Sequence, residues 1–567
     1  MDNKFFNGLI VTILSLFVLS ACSNEDSEAS TDPADSEQKT STEQAESKNL
    51  IVLIGDGMGP PQISLTRLYQ QEYHDKDSLA LDEILVGTNT TFAGDSTYKG
   101  ESGVVTDSAA AATAFGTGHK TYNGAISVTN EEVAKPVASI IEAASLQGKA
   151  TGLISTARIT HATPAAYAAH VRLRPMENAI ASQYVDAGVD VLLGGGERHF
   201  VPSEEESRYG ATKREDQVNL IEPFSENGYE VVYNQEELGN AEGDKLLGLF
   251  DDSHIPYNLD RGDTTPSLAE QLEKAIEVLD KNDEGFVLML EGGRIDHAGH
   301  ANDIHSIIQE TIEFDEAVEV ALDYAKEDEQ TSVMVTADHE TGGLTIGSHG
   351  IYDVYFEVFK AIEASSELIG QELEEAEEDQ DVRDIVENYT GIDNLTDEEV
   401  DMILAGEEVD GTPSQYGREG SFNAVIAERS LIGWTGHGHT GVDVNVYAYG
   451  PVADLLAGHS DNTDFAKAGA EVVGLDLDAA TKNLQEKYLY PKFIQNRDGD
   501  YLFPAKALAE ALESEIEVND DASVEIEGET FQGEEDNEEV YLPLEAFSKL
   551  TGKDLTWDQL SERIVLP

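Results

Sequence analysis

The chain has 567 residues, enough for one large domain with insertions or for two domains. Its 112 acidic against 35 basic side chains give a formal net charge of −77, which leaves no basic stripe to neutralise phosphates and excludes specificity for nucleic acid. An apolar content of 40% with clear strand patterns excludes general disorder, and self-repulsion on this scale implies a solvated surface adapted to salt.

In chain order, Gly8 to Leu19 is a mostly apolar stretch too short for a membrane span, as in a secretion signal. It ends Leu19-Ser20-Ala21-Cys22, similar to the bacterial lipoprotein cleavage box, although the leading segment carries Asp2 beside Lys4. Residues 1–22 are therefore expected to be a lipoprotein signal peptide. Cys22, the only cysteine, is the expected lipidation site and holds the protein outside the cytoplasm on the bacterial membrane. No disulfide can form, so bound metals would supply part of the stapling. Residues 23–48 hold eight acids, two lysines and no aromatic residue, the composition of a disordered tether.

From residue 49 to about 485, strand-like runs alternate with helical segments. Strands are expected at Leu50–Ile54, Thr151–Ile154, Val189–Leu193, Phe286–Leu290, Val333–Ala337 and Val442–Tyr449. Helices are expected at Ser108–Ala114, Val137–Leu146 and Leu268–Leu279. This is the pattern of an α/β domain with a doubly wound, mostly parallel central sheet flanked by helices. An acid-rich helical insertion falls at about 345–430, with six acids in the eight residues Glu372–Asp379, and reads as a solvated face near the active-site mouth. Its spacing does not match an EF-hand loop. Residues 490–567 repeat strand, Pro and helix twice, around Tyr501-Leu502-Phe503-Pro504 and Tyr541-Leu542-Pro543-Leu544. That order predicts a small α+β accessory domain, and it resembles the copper amine oxidase N-terminal-like module of bacterial surface proteins, with nothing implied about copper.

Three of the apolar runs end in acid. Leu50–Ile54 leads into Gly55-Asp56-Gly57, Phe286–Leu290 into Glu291-Gly292-Gly293, and Val333–Ala337 into Asp338-His339-Glu340. Open α/β sheets bind ligands beyond the carboxyl ends of their strands, so Asp56, Glu291, Asp338 and His339 share one edge. Carboxylates crowded there repel unless cations sit between them, which makes the edge a metal site. Asp296 and His300 stand four apart and share a helical face that can hold one ion, with His297 pointing elsewhere on the turn. Val105-Thr106-Asp107-Ser108 opens an Ala-rich helix whose free N–H groups suit a phosphate or a serine alkoxide; taken alone, Asp107 or Ser108 would be an N-cap. Gly436-His437-Gly438-His439 brings a Gly-flanked imidazole close to a metal, without deciding which histidine binds.

Together, Ile54-Gly-Asp56-Gly-Met-Gly, Asp107-Ser108-Ala-Ala, Glu291 through His300, Ala337-Asp338-His339-Glu340-Thr341 and His439-Thr440-Gly441 resemble the alkaline phosphatase family, over roughly residues 49–470 and in the family's order. The resemblance implies hydrolysis of small phosphate monoesters through a phosphoserine on Ser108. It implies one zinc on Asp296, His300 and His439, a second on Asp56, Asp338 and His339, and a third ion, usually magnesium, on Asp56, Thr163 and Glu291. His439 is preferred to His437 because it precedes the family's Thr-Gly. Arg174 follows His161-Ala-Thr163-Pro at the family's spacing and matches its phosphate-binding arginine; an ordinary surface arginine, like Arg172 nearby, is the competing reading. His161 and His297 stand where one bacterial version carries Asp and Lys, which puts the identity of the third metal in question. Asp107, His161 and His297 are expected beside the ligands or the phosphate. The remaining histidines, His74, His119, His170, His199, His254, His305, His349 and His459, are expected to be surface or structural, and Gly194-Gly195-Gly196 a tight turn. A homodimer and a cell-surface partner for the last module stay open, as do a phosphodiesterase of the same superfamily and a surface binding lipoprotein.

Overall fold

The computed structural model describes residues 47–95, 102–204, 206–408 and 411–567. The expected signal peptide with Cys22 and nearly all of the acidic tether lie outside the described residues.

A ten-stranded sheet organises the chain. In chain order its strands are β1 (Asn49–Gly55), β2 (Leu85–Asn89), β3 (Ala150–Arg158), β4 (Val191–Gly195), β5 (Glu230–Val232), β6 (Leu246–Leu249), β7 (Phe286–Gly292), β8 (Thr331–Ala337), β9 (Val444–Tyr449) and β10 (Gly458–Ser460). They lie side by side as β10-β2-β9-β8-β1-β7-β3-β4-β6-β5. Only β9 runs against its neighbours, β8 and β2. The sheet is thus mostly parallel, and its three central strands, β8, β1 and β7, are the acid-ended runs.

Every residue of β1, β7 and β8 is buried, as befits parallel strands covered on both faces. Alternation divides them between two cores. Leu50, Val52 and Ile54 pack with the Ala-rich helix Ser108–Thr117 and its neighbours, whereas Ile51 and Leu53 face the layer of Leu268–Leu279 and Ile304–Asp328. The register levels the strand ends: Gly55 lies beside Gly292 of β7 and beside Ala337 of β8. The next residues, Asp56 and Asp338, leave the sheet together at one edge.

The run expected at Val442–Tyr449 divides. Val442 is exposed and β9 starts at Val444, while His439–Thr440 pairs separately with Glu340–Thr341, Thr341 opposite His439. The insertion holds four helices, Ser366–Glu374, Asp379–Thr390, Asp397–Ala405 and Gly417–Ser430, whose Ile369, Leu373, Val386, Ile403 and Phe422 share a core with Leu65, Ile304 and Ile307 of the main domain. The C-terminal segment has a core of Phe503, Leu508, Leu542, Phe547 and Ile564. Its first strand, Tyr488–Pro491, pairs on one side with Arg563–Val565 and on the other with Val133–Ala134.

Candidate active site

Asp56, Asp338 and His339, all fully buried, follow β1 and β8 directly and bring their ligand atoms within 4.8 Å of one another. His339 Nε2 lies 3.0 Å from Asp338 Oδ2 and 3.6 Å from Asp56 Oδ1. The Gly57 N–H donates to Asp338 Oδ1 at 3.0 Å, tying the two strand ends together.

A second group forms where the helix Arg294–Ala301 leaves β7. Asp296 and His300 share its inner face, with 3.3 Å between Asp296 Oδ2 and His300 Nε2, and His439 joins them, its Nε2 3.5 Å from Asp296 Oδ1. The Nδ1 of His300 donates to the His437 carbonyl and that of His439 to the Thr106 carbonyl. With each Nδ1 so engaged, the two Nε2 atoms are the ring atoms turned into the site, 3.1 Å apart and both near Asp296. Deprotonated, both Nε2 atoms and an Asp296 oxygen could be offered to one metal ion. His437 turns away: its Nδ1 donates to the His300 carbonyl and its Nε2 lies 3.2 Å from Glu408.

Ser108 begins the helix Ser108–Thr117 and its Oγ lies 3.4 Å from His339 Nε2. Asp107 has both roles weighed from the sequence. Its Oδ1 caps the helix by accepting from Ala110 N and also accepts from Gly124 N, each at 3.0 Å, while its Oδ2 accepts from Arg174 Nη1 at 3.1 Å. Arg174 Nη2 approaches His161 Nε2 at 2.9 Å. Arg172, by contrast, is buried and bonded to carbonyls, not a surface side chain.

The third group is Asp56, His161 and Glu291. Thr163 is buried in the short helix Ala162–Ala165 beside it, its Oγ1 without a hydrogen-bond partner, and Ser155 donates to Glu291 Oε2. Burial, and then the neighbouring carboxylates, raise the Asp56 carboxyl well above its ordinary range. Burial pushes Glu291 up to about 7. Burial opposes charge on His300, but Asp296 beside it prevails and holds the imidazole at about 9. The carboxylates crowding Asp56, and the Asp296 charge that sustains His300, give the site a negative potential. Both Asp56 oxygens, Glu291 Oε1 and Thr163 Oγ1 are buried with no hydrogen bond of good geometry, so the donor sets fit metal ions.

One residue beside the site was not singled out from sequence. His254 packs edge-on to His297, centroids 4.3 Å apart, and 5.5 Å from His161. Arg158 approaches its Nε2 through Nη1 and grips Glu177 with two bonds of 2.7 and 2.8 Å. Burial, then His297 and Arg158, holds the His254 imidazole neutral, and burial with Arg294 lowers His297 to about 3.

A family model described as alkaline phosphatase matches residues 47–475. Alkaline phosphatase 3 of Bacillus subtilis is 38% identical over 477 residues, covering 82% of this chain and 96% of that protein. The crystal structure of a cold-active alkaline phosphatase from a psychrophilic Shewanella aligns with a TM-score of 0.65 at 35% identity, covering 75% of this chain and 99% of that one. A histidine-to-glutamate mutant of TAB5 alkaline phosphatase, solved with Mg bound in its M3 site, aligns with a TM-score of 0.55 at 27% identity, covering 76% and 99%.

Proposed function

Because the chain belongs to the alkaline phosphatase family and is a phosphoric monoester hydrolase, we propose that it releases inorganic phosphate through a phosphoserine on Ser108. The observation that carries this reading is the setting of Ser108: it heads a helix, 3.4 Å from His339, with Arg174 held by the adjoining Asp107. The Ser108 oxygen attacks phosphorus in line with the ester oxygen; the bond to the alcohol breaks and the alcohol leaves. Water then attacks from the side the alcohol vacated, returning Ser108 and free phosphate. The Arg174 guanidinium holds two non-bridging oxygens, and the Asp107 carboxylate keeps that fork aimed. Free N–H groups at the helix head add positive potential.

Asp296, His300 and His439 would hold one zinc, Asp56, Asp338 and His339 a second, and Asp56, Thr163 and Glu291 a magnesium, with His161 beside it. When bound, such ions withdraw charge from the nucleophilic, leaving and phosphoryl oxygens. A magnesium at the third position has a counterpart in the Mg bound by the TAB5 relative, there in a mutant whose histidine is replaced by glutamate, whereas His161 stands in the group here. The Leu19-Ser20-Ala21-Cys22 box supports an extracytoplasmic protein tethered by lipid on Cys22. Among the described residues no helix is long and apolar enough to cross a membrane.

The test is release of a chromogenic phenol from its phosphate monoester. Chelation abolishes turnover, zinc with magnesium restores it, and Ser108→Ala lowers kcat by more than about a thousandfold. A Ser108→Ala enzyme with near-normal turnover would sink the phosphoserine reading.

A further inference from the structure

The family match ends at residue 475, yet the C-terminal segment beyond it reaches back to the loop that presents Arg174. Tyr488–Pro491 pairs with Val133–Ala134, Tyr490 opposite Ala134. Across this seam one guanidinium ties both strands: Arg172 Nη1 donates to Tyr490 O at 2.7 Å and to Glu132 O at 2.9 Å. The Tyr490 ring is fully buried, in a cluster with Tyr122, Ala125, Val128 and Ala134. That cluster underlies the strap 122–128, whose backbone meets the arginine loop twice. Ile126 and Val171 exchange bonds of 2.9 and 3.1 Å, and Arg174 N donates to Gly124 O at 2.7 Å. The Tyr122 hydroxyl also donates to the Arg172 carbonyl at 3.1 Å. The same strap holds Asp107 through Gly124 N at 3.0 Å and Asn123 Oδ1 at 3.1 Å. Asp107 and Arg174, the pair that aims the guanidinium, are thus both fixed to a strap packed on Tyr490.

We propose that the C-terminal segment braces the phosphate-binding arginine, with Arg172 as a positioning residue that acts through the strap on Arg174. This rests on the reading of Arg174 as the phosphate clamp. Loosening the brace would leave Arg174 present but poorly aimed, so binding of the phosphoryl group suffers before the fold does. Arginine suits the post because the two in-plane hydrogens of one guanidinium nitrogen, Nη1, meet the two carbonyls from fixed directions.

The test uses the full chain and inorganic phosphate as competitive inhibitor, in a double-mutant cycle. Arg172→Met should raise the inhibition constant for phosphate and the KM about tenfold, Arg172→Lys should recover part of the loss, and neither should add to the loss in an Arg174→Ala enzyme. Should Arg172→Met not fold, Arg172→Lys and Tyr490→Leu run the same cycle. An unchanged inhibition constant, or an equal loss with and without Arg174, would overturn the brace. If Arg174→Ala itself left phosphate inhibition unchanged, the clamp reading would fall instead, and the two failures are told apart.

Discussion

His254 lies under two histidines of the site, and its own position is fixed from behind. Arg158 holds it, and Glu177 holds Arg158 while also accepting from Thr160 at 2.6 Å. The rings of His161 and His297 pack against that support, so removing it frees them to rotate. His254→Ala should therefore shift the magnesium needed for half-maximal activity upward by about 10–100-fold, the usual cost of losing an outer support of a metal site. Titrating magnesium into the chelated, zinc-reloaded enzyme measures it, and a superimposable curve would show that His254 supports nothing. The carboxylates gathered at the site were legible in the sequence because each follows a strand end or sits on a helical turn just beyond one: Asp56, Asp338 and Asp296 announce themselves by position. His254 was not legible. It sits in Asp-Ser-His-Ile-Pro with no partner at ligand spacing, and only the return of that loop to β3 brings it to His297. Of the two histidines that composition left open, the resemblance preferred His439, and only His439 turns its Nε2 toward His300 and Asp296.

At the level of elements, period and burial identified the central strands well because strands covered on both faces are continuous apolar runs. Direction was less legible: nothing in Val444–Tyr449 says that it enters antiparallel, since side-chain alternation is the same either way. Short pairings such as His439–Thr440 with Glu340–Thr341 also escape pattern, being two residues long. The insertion was legible as helical and acidic, but not its interior. Glu419 on the helix Gly417–Ser430 turns inward and accepts from Ser366 Oγ at 2.9 Å, at the start of the helix Ser366–Glu374. Burial, then Asp303 and Glu367, pushes its carboxyl up to about 7. A carboxyl raised on folding favours the native state while protonated, and that contribution is lost as pH climbs from the ordinary range near 4.5 through about 7. Glu419→Gln, which keeps the acceptor and cannot ionise, should therefore be more stable than the parent at pH 8, on the order of 2 kcal/mol, and equal to it at pH 4. Denaturant unfolding at the two pH values measures this. A variant less stable at pH 8 would mean that the ionised carboxylate contributes to the packing.

For the whole molecule the governing quantity is charge that cannot be paired. If each of the 35 basic side chains neutralised one of the 112 acids, 77 carboxylates would remain. Their mutual repulsion opposes folding, and their summed field opposes the approach of a phosphate monoester dianion to the active site. Salt acts on both through one length: about 30 Å at 0.01 M, shrinking to about 3 Å at 1 M. At the short length only charges nearly in contact interact, so compact pairs such as Arg174 with Asp107 survive while the long-range repulsion is lost. The melting temperature and kcat/KM for an aryl phosphate should therefore both rise between dilute buffer and molar salt. The two readouts can part company, and that is informative. Stability integrates the whole surface, whereas capture depends on the field at the mouth, where Arg174 and the bound cations offset the body. A melting temperature that rises while kcat/KM stays flat would make the mouth electrostatically local. Both quantities highest in dilute buffer would show that this surface is not adapted to salt, whatever its charge.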